Sequence, residues 1–129
     1  MNGKFLLDTT FVIALFAEDP TVTQGLRRVD EVFVSSVVLG ELYFGALKSA
    51  RFETNVKRID SFAAGNVVLT CDQETARHYG LIKSKLRARG RPLPENDIWI
   101  AATAIQHDLT LLTHDAHFDE VDGLQLEKL

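Results

Sequence analysis

Short apolar runs alternate with longer, mixed stretches along this chain. Lys4 to Leu7 reads as a short buried strand. Thr10 to Ala17 has helical character in spite of its β-branched residues. Asp19-Pro20 breaks it, and Pro20 suits the first turn of a second helix reaching about Val29. Glu31 to Val34 is a second strand, and Ser36 is placed to cap a helix from Val37 to about Ser49. A further helix covers about Phe52 to Ala63, Gly65-Asn66 is a turn, and Val67 to Leu69 is a third strand. Asp72 can cap a long helix from Gln73 to Ala88. Gly90-Arg91-Pro92-Leu93-Pro94 is a loop stiffened by two prolines and too short for a domain linker. Another helix runs from about Glu95 to His107, Thr110 to Thr113 is a fourth strand, and Leu124 to Leu126 a fifth.

Strands that alternate with helices imply an α/β fold with a mainly parallel sheet. In open sheets of that kind ligands bind beyond the carboxyl ends of the strands. Asp8 and Asp115 each follow an apolar strand directly, so both belong at that edge. Glu41 falls in the second turn of the helix after strand two. Asp97 falls in the first turn of its helix, where the positive end of the helix dipole favours the ionised form.

Composition narrows the classes. The 129 residues, 46% hydrophobic and 25% charged, suit one soluble domain spanning 1–129 with a real core. No apolar run approaches the ~18 residues of a membrane span, and no signal peptide is legible at the N-terminus. The single cysteine, Cys71, has no partner for an internal disulfide, which fits a reducing cytoplasm, and it reads as a small apolar filler. A net charge of −4 is unusual for a protein that handles nucleic acid. A carboxylate cluster explains part of it, and the local field around a cleft matters more than the total.

Asp8, Glu41, Asp97 and Asp115 all adjoin hydrophobic elements, where an ordinary surface acid has no special reason to be. Taken singly, Asp8 could be only a helix cap, Asp97 only a favourable first-turn acid, and Asp115 only a turn opener. Glu41 is harder to dismiss, because Leu39, Leu42 and Phe44 flank it and an unpaired buried charge is expensive. Carboxylates that converge from such borders can hold a hard cation such as Mg2+, which prefers oxygen ligands. Without a cation they repel one another, and at least one carboxyl should bind its proton more tightly than usual.

The set Asp8-Thr9-Thr10, Glu41-Leu42-Tyr43-Phe44-Gly45, Asn96-Asp97-Ile98-Trp99-Ile100-Ala101-Ala102 and Thr113-His114-Asp115-Ala116-His117-Phe118 resembles the PIN-domain ribonucleases, and within them the VapC toxins of toxin–antitoxin pairs. The resemblance runs from the first strand to Gly123-Leu124. It implies a three-layer α/β/α fold around a mainly parallel five-stranded sheet. It also implies an endoribonuclease dependent on Mg2+ or Mn2+ that cuts tRNA or other structured RNA with water activated by the metal. The family's catalytic acids carry over to Asp8, Glu41, Asp97 and Asp115, with Asp8 and Asp97 the most direct metal ligands. Its small polar position carries over to Thr10, at the metal shell or the scissile phosphate. Implied partners are a VapB-like antitoxin and a second copy in a homodimer.

Several features stay open at this level. Lys83, Lys85, Arg87, Arg89 and Arg91 could hold RNA phosphates or form a solvated helix face. His114 and His117 read as loop residues. Phe11, Phe16, Tyr43 and Phe44 read mainly as core, with any exposed part open to an antitoxin helix or a dimer seam. Trp99 reads as core or dimer contact. Competing classes are a Mg2+-binding receiver domain, a haloacid-dehalogenase-type phosphatase, and a non-catalytic PIN-fold module that binds RNA or protein. A receiver would want paired acids near the first strand and a Lys after the last, whereas here Asp8 is followed by Thr9 and Thr10. The phosphatase would want a second Asp at position 10.

Overall fold

The computed structural model describes residues 3–128. Five strands form one sheet: β1 (Lys4–Leu7), β2 (Glu31–Ser35), β3 (Val67–Leu69), β4 (Thr110–Leu112) and β5 (Leu126–Glu127). Six helices connect them: α1 (Thr9–Phe16), α2 (Pro20–Leu26), α3 (Ser36–Leu47), α4 (Phe52–Ala64), α5 (Gln73–Ala88) and α6 (Glu95–Gln106). A 3-10 turn over Ala116–Glu120 follows β4.

The strand order is β3-β2-β1-β4-β5, and every pairing is parallel. Leu6 sits opposite Phe33 on one side and Leu111 on the other. Consecutive residues Phe5, Leu6 and Leu7 are all buried, so β1 is covered on both faces, as parallel sheets require. The α1, α2, α3 and α4 helices pack among themselves, while α5 packs on α6. Right-handed crossovers put these two groups on opposite faces of the sheet. The order reverses between β1 and β4. A receiver domain instead follows the order 2-1-3-4-5, so the topology itself separates the chain from that class.

Caps explain most element boundaries. Asp8 caps α1, accepting from the Phe11 N–H at 2.8 Å, and so the helix starts at Thr9. Ser35, rather than Ser36, caps α3: its hydroxyl accepts from the Val38 N–H at 3.1 Å where β2 ends. Asp72 forms a reciprocal capping box with Thr75 at the start of α5. Gly90 ends that helix at φ +65°, and this left-handed turn lets the Arg91 N–H reach the Leu86 carbonyl at 2.9 Å. The second helix stops at Leu26, short of Val29. The fifth strand falls at Leu126–Glu127 because Gly123, at φ +79°, turns the chain and the Leu124 N–H bonds back to the Val121 carbonyl. Cys71 is exposed before α5, so it is not an apolar filler.

Among the described residues no helix is long and apolar enough to cross a membrane. The core gathers on Leu6, Leu7, Phe11, Leu111, Leu112 and Phe118, all essentially inaccessible. Leu111→Ala removes a side chain at the centre of the sheet. It should cost about 3 kcal/mol in urea unfolding, and a loss below about 1 kcal/mol would show that this core is not tightly packed.

Candidate metal centre

The strand order reverses between β1 and β4, and the carboxyl ends of strands at such a point are the usual ligand position in an open parallel sheet. Asp8 follows β1, and Asp115 follows β4 by three residues. The α3 and α6 helices pack against each other and bring Glu41 and Asp97 to the same place. Glu41 and Asp97's neighbours Asn96 and Trp99 line one open groove of about 740 Å³, together with Thr9, Val37, Gly40 and Phe44.

Three threonines hold the acids. Asp8 is buried, and Thr113 donates its hydroxyl proton to Asp8 Oδ2 in a short contact. Thr10 lies against both oxygens of Asp8, at 3.2 and 3.3 Å. Thr9 donates to Glu41 Oε1 at 2.6 Å, tying the first turn of α1 to α3. Thr113 Oγ1 also accepts from the Asp115 N–H at 3.0 Å, so one buried hydroxyl links two of the acids. Asp115 caps the 3-10 turn, accepting from the His117 N–H at 2.9 Å. Ligand atoms of Asp97, Asp115 and His117 all lie within 4.8 Å of one another.

The electrostatics join the four acids into one field. The Asp97 carboxyl is pushed up to about 6, first by burial, then by the charges of Asp115, Glu41 and Asp8. Burial also pushes Asp8 up, against the hydrogen bonds from Thr113, the Phe11 N–H and Thr10, with Asp115 adding to the rise. Carboxylates that raise one another's proton affinity this way are oxygen donors short of positive charge. That donor set fits a hard divalent cation.

Other sequence expectations are placed differently. Thr10 is near Asp8 as expected, but Thr9 and Thr113 carry contacts that the pattern did not single out. Threonine beside an acid is too common to signal a role, and only the fold shows that Thr113 reaches Asp8. His117 is at the cluster, whereas the His114 ring packs at 5.3 Å from Phe11. Trp99 is half-buried, stacked on Tyr79 at 4.1 Å, and it lines the groove rather than the core. Phe11 is core, whereas Phe44 is 67% exposed. Of the basic run, Lys83 pairs with Glu95 at 2.5 Å, Arg89 with Asp122 at 3.3 Å and Arg91 with Glu120 at 3.6 Å. Acids of the chain itself therefore already draw on much of its charge.

Residues 5–124 match the model of the PIN domain. The chain belongs to the PIN-domain family, among the VapC ribonucleases. It is 34% identical to ribonuclease VapC2 of Haemophilus influenzae over 96% of both chains. It is also 34% identical, again over 96% of both, to the tRNA(fMet)-specific endonuclease VapC of Shigella flexneri. Its fold superposes with a TM-score of 0.89 on a chain from the crystal structure of VapBC2 of Rickettsia felis bound to a promoter DNA fragment, at 26% identity and 98% coverage of both chains. This membership sets aside the receiver and phosphatase classes.

The raised Asp97 carboxyl sets a sign for stability. Below about pH 4 both folded and unfolded chains keep this proton. Between the ordinary value of 3.8 and about 6 the unfolded chain ionises first, so stability falls as pH rises and stays lower above 6. A bound cation offsets that loss. The rise in melting temperature on adding Mn2+ should therefore grow between pH 5 and pH 7.5, and Asp97→Asn should raise the metal-free melting temperature at pH 7.5 while shrinking the Mn2+ effect. Equal Mn2+ effects at the two pH values would contradict this electrostatic account.

Proposed function

We propose that the chain is a divalent-cation-dependent endoribonuclease acting as the toxin of a VapBC-type pair, with Asp8, Glu41, Asp97 and Asp115 as its catalytic acids. The observation that carries this reading is the shared field of the four acids at the switch point of the sheet. Asp8 and Asp97 would hold the cation, with Glu41 and Asp115 acting on it directly or through water. Mg2+ or Mn2+ bound there would supply an activated water and neutralise charge that builds up at the scissile phosphate.

The protein's own groups do the positioning. Thr113 and the α1 backbone fix the Asp8 rotamer before any ligand arrives. Thr9 fixes Glu41 in the same way. Thr10 is exposed beside Asp8, where its hydroxyl can contact a phosphate oxygen. The groove lined by Glu41, Asn96, Phe44 and Trp99 leads RNA past the acids. The tRNA preference rests on the Shigella flexneri relative, whose name states it for that protein.

The antitoxin partner is a VapB-like chain, as in the VapBC2 complex of Rickettsia felis. A second groove, of about 240 Å³, is lined by Ile13, Phe16, Leu42, Ala46 and Ile59, with Glu41 at its rim. An apolar segment seated there would come within reach of the acids, which gives inhibition a direct route. The proposed assembly is a homodimer in the cytoplasm, and the chain is proposed to act as one domain over 1–129.

The decisive experiment incubates purified protein with a total-tRNA pool and Mg2+ or Mn2+, beside EDTA and Asp8→Asn. Asparagine keeps a cap for α1, so the variant should fold. Discrete fragments should appear only with metal, and Asp8→Asn should lower their rate by at least roughly 10–100-fold, the loss that removing even an outer-shell partner of a metal site causes. Cleavage that persists in EDTA or in the variant would refute the assignment.

A further inference from the structure

His117 occupies a place that the four acids alone do not explain. Its backbone N–H donates to Asp115 Oδ1 at 2.9 Å. The ring nitrogen Nδ1 lies 3.2 Å from the same oxygen, at ion-pair distance. Adjacent ligand atoms around an octahedral cation with bonds of about 2.1 Å lie about 3 Å apart. The spacing of the imidazole and the carboxylate is thus that of two neighbouring corners of one coordination shell. Asp97 completes a triad whose ligand atoms are mutually within 4.8 Å, a bound somewhat wider than the roughly 4.2 Å between opposite corners of that shell, so small side-chain movements would close it on an ion. The His117 side chain is 69% exposed, which leaves the ring room to turn toward a cation.

We propose that His117 is a nitrogen ligand of the divalent cation assigned above to the four acids, entering its shell on the side of Asp97 and Asp115, and that it tilts this site from Mg2+ toward transition-series ions. This rests on the metal-centre reading given above. Carboxylate oxygens suit Mg2+ and Mn2+ alike, whereas imidazole strengthens binding of ions later in the series, such as Co2+, far more than of Mg2+. An all-carboxylate site would lack that bias. The ring must be neutral to bind, so the ion displaces whatever proton the imidazole carries.

The test uses the full chain loaded with Mn2+ below one equivalent and examined by pulsed electron paramagnetic resonance. Wild type should show ¹⁴N modulation of imidazole type. His117→Ala should bind Mn2+ without it, and His114→Ala should keep it. Calorimetry should show Co2+ binding weakened roughly 10-fold in His117→Ala, and Mg2+ binding changed less than about 3-fold. The variant leaves the cap on Asp115 in place, because the backbone N–H supplies it. Bound Mn2+ without nitrogen modulation, or modulation that survives in His117→Ala, would overturn the proposal and leave the carboxylate centre standing. Absence of any bound Mn2+ in wild type would remove the centre itself and the proposal with it.

Discussion

Carboxylates held together at one end of a parallel sheet repel one another, and the rest of the fold has to hold them against that repulsion. Asp8 is the clearest case. It is buried, next to other acids, and pushed up by its surroundings, yet it is anchored by Thr113, Thr10 and the first turn of α1. Burial and, after it, the charges of Asp115, Glu41 and Asp8 push the Asp97 carboxyl up as well. A cation bound there, as proposed, would convert this repulsion into attraction.

Topology supplies the place. The strand order turns back between β1 and β4, the point at which open parallel sheets take their ligands, and Asp8 and Asp115 follow those two strands. The contact between α3 and α6 then closes the ring, carrying Glu41 and Asp97 in from separate parts of the chain. Glu41 lines both a mixed polar and aromatic groove and a second, mainly apolar groove that also carries Asn55 and Arg58. Substrate path and inhibitor seat can therefore meet at one acid, which couples the proposed activity to its proposed control.

Much of this was legible in the sequence, and the reason is local. The run Phe5-Leu6-Leu7 before Asp8, and Leu111-Leu112 before Thr113, mark buried strands whose ends must carry whatever acts there. The four acids, their order and the alternation of elements needed no long-range information. What the sequence hid depends on distances in space. Nothing near Thr113 announces Asp8, which lies 105 residues away in the chain. Thr9 and Thr10 are indistinguishable as letters, yet one serves Glu41 and the other Asp8, because the first turn of α1 points them to different sides. Ser35 and Ser36 differ only in which one stands where β2 ends. The basic run reads equally as a phosphate track or a solvated face, and Glu95, Asp122 and Glu120 pair with three of its cations.

The central claim is that the four carboxylates share a divalent cation. Anomalous diffraction from crystals soaked in Mn2+ tests it most directly. The account predicts a strong peak beyond the carboxyl ends of β1 and β4, about 2.0–2.3 Å from carboxylate oxygens of Asp8 or Asp97 and with Asp115 and Glu41 around it. An empty site in crystals that hold Mn2+ elsewhere would contradict it.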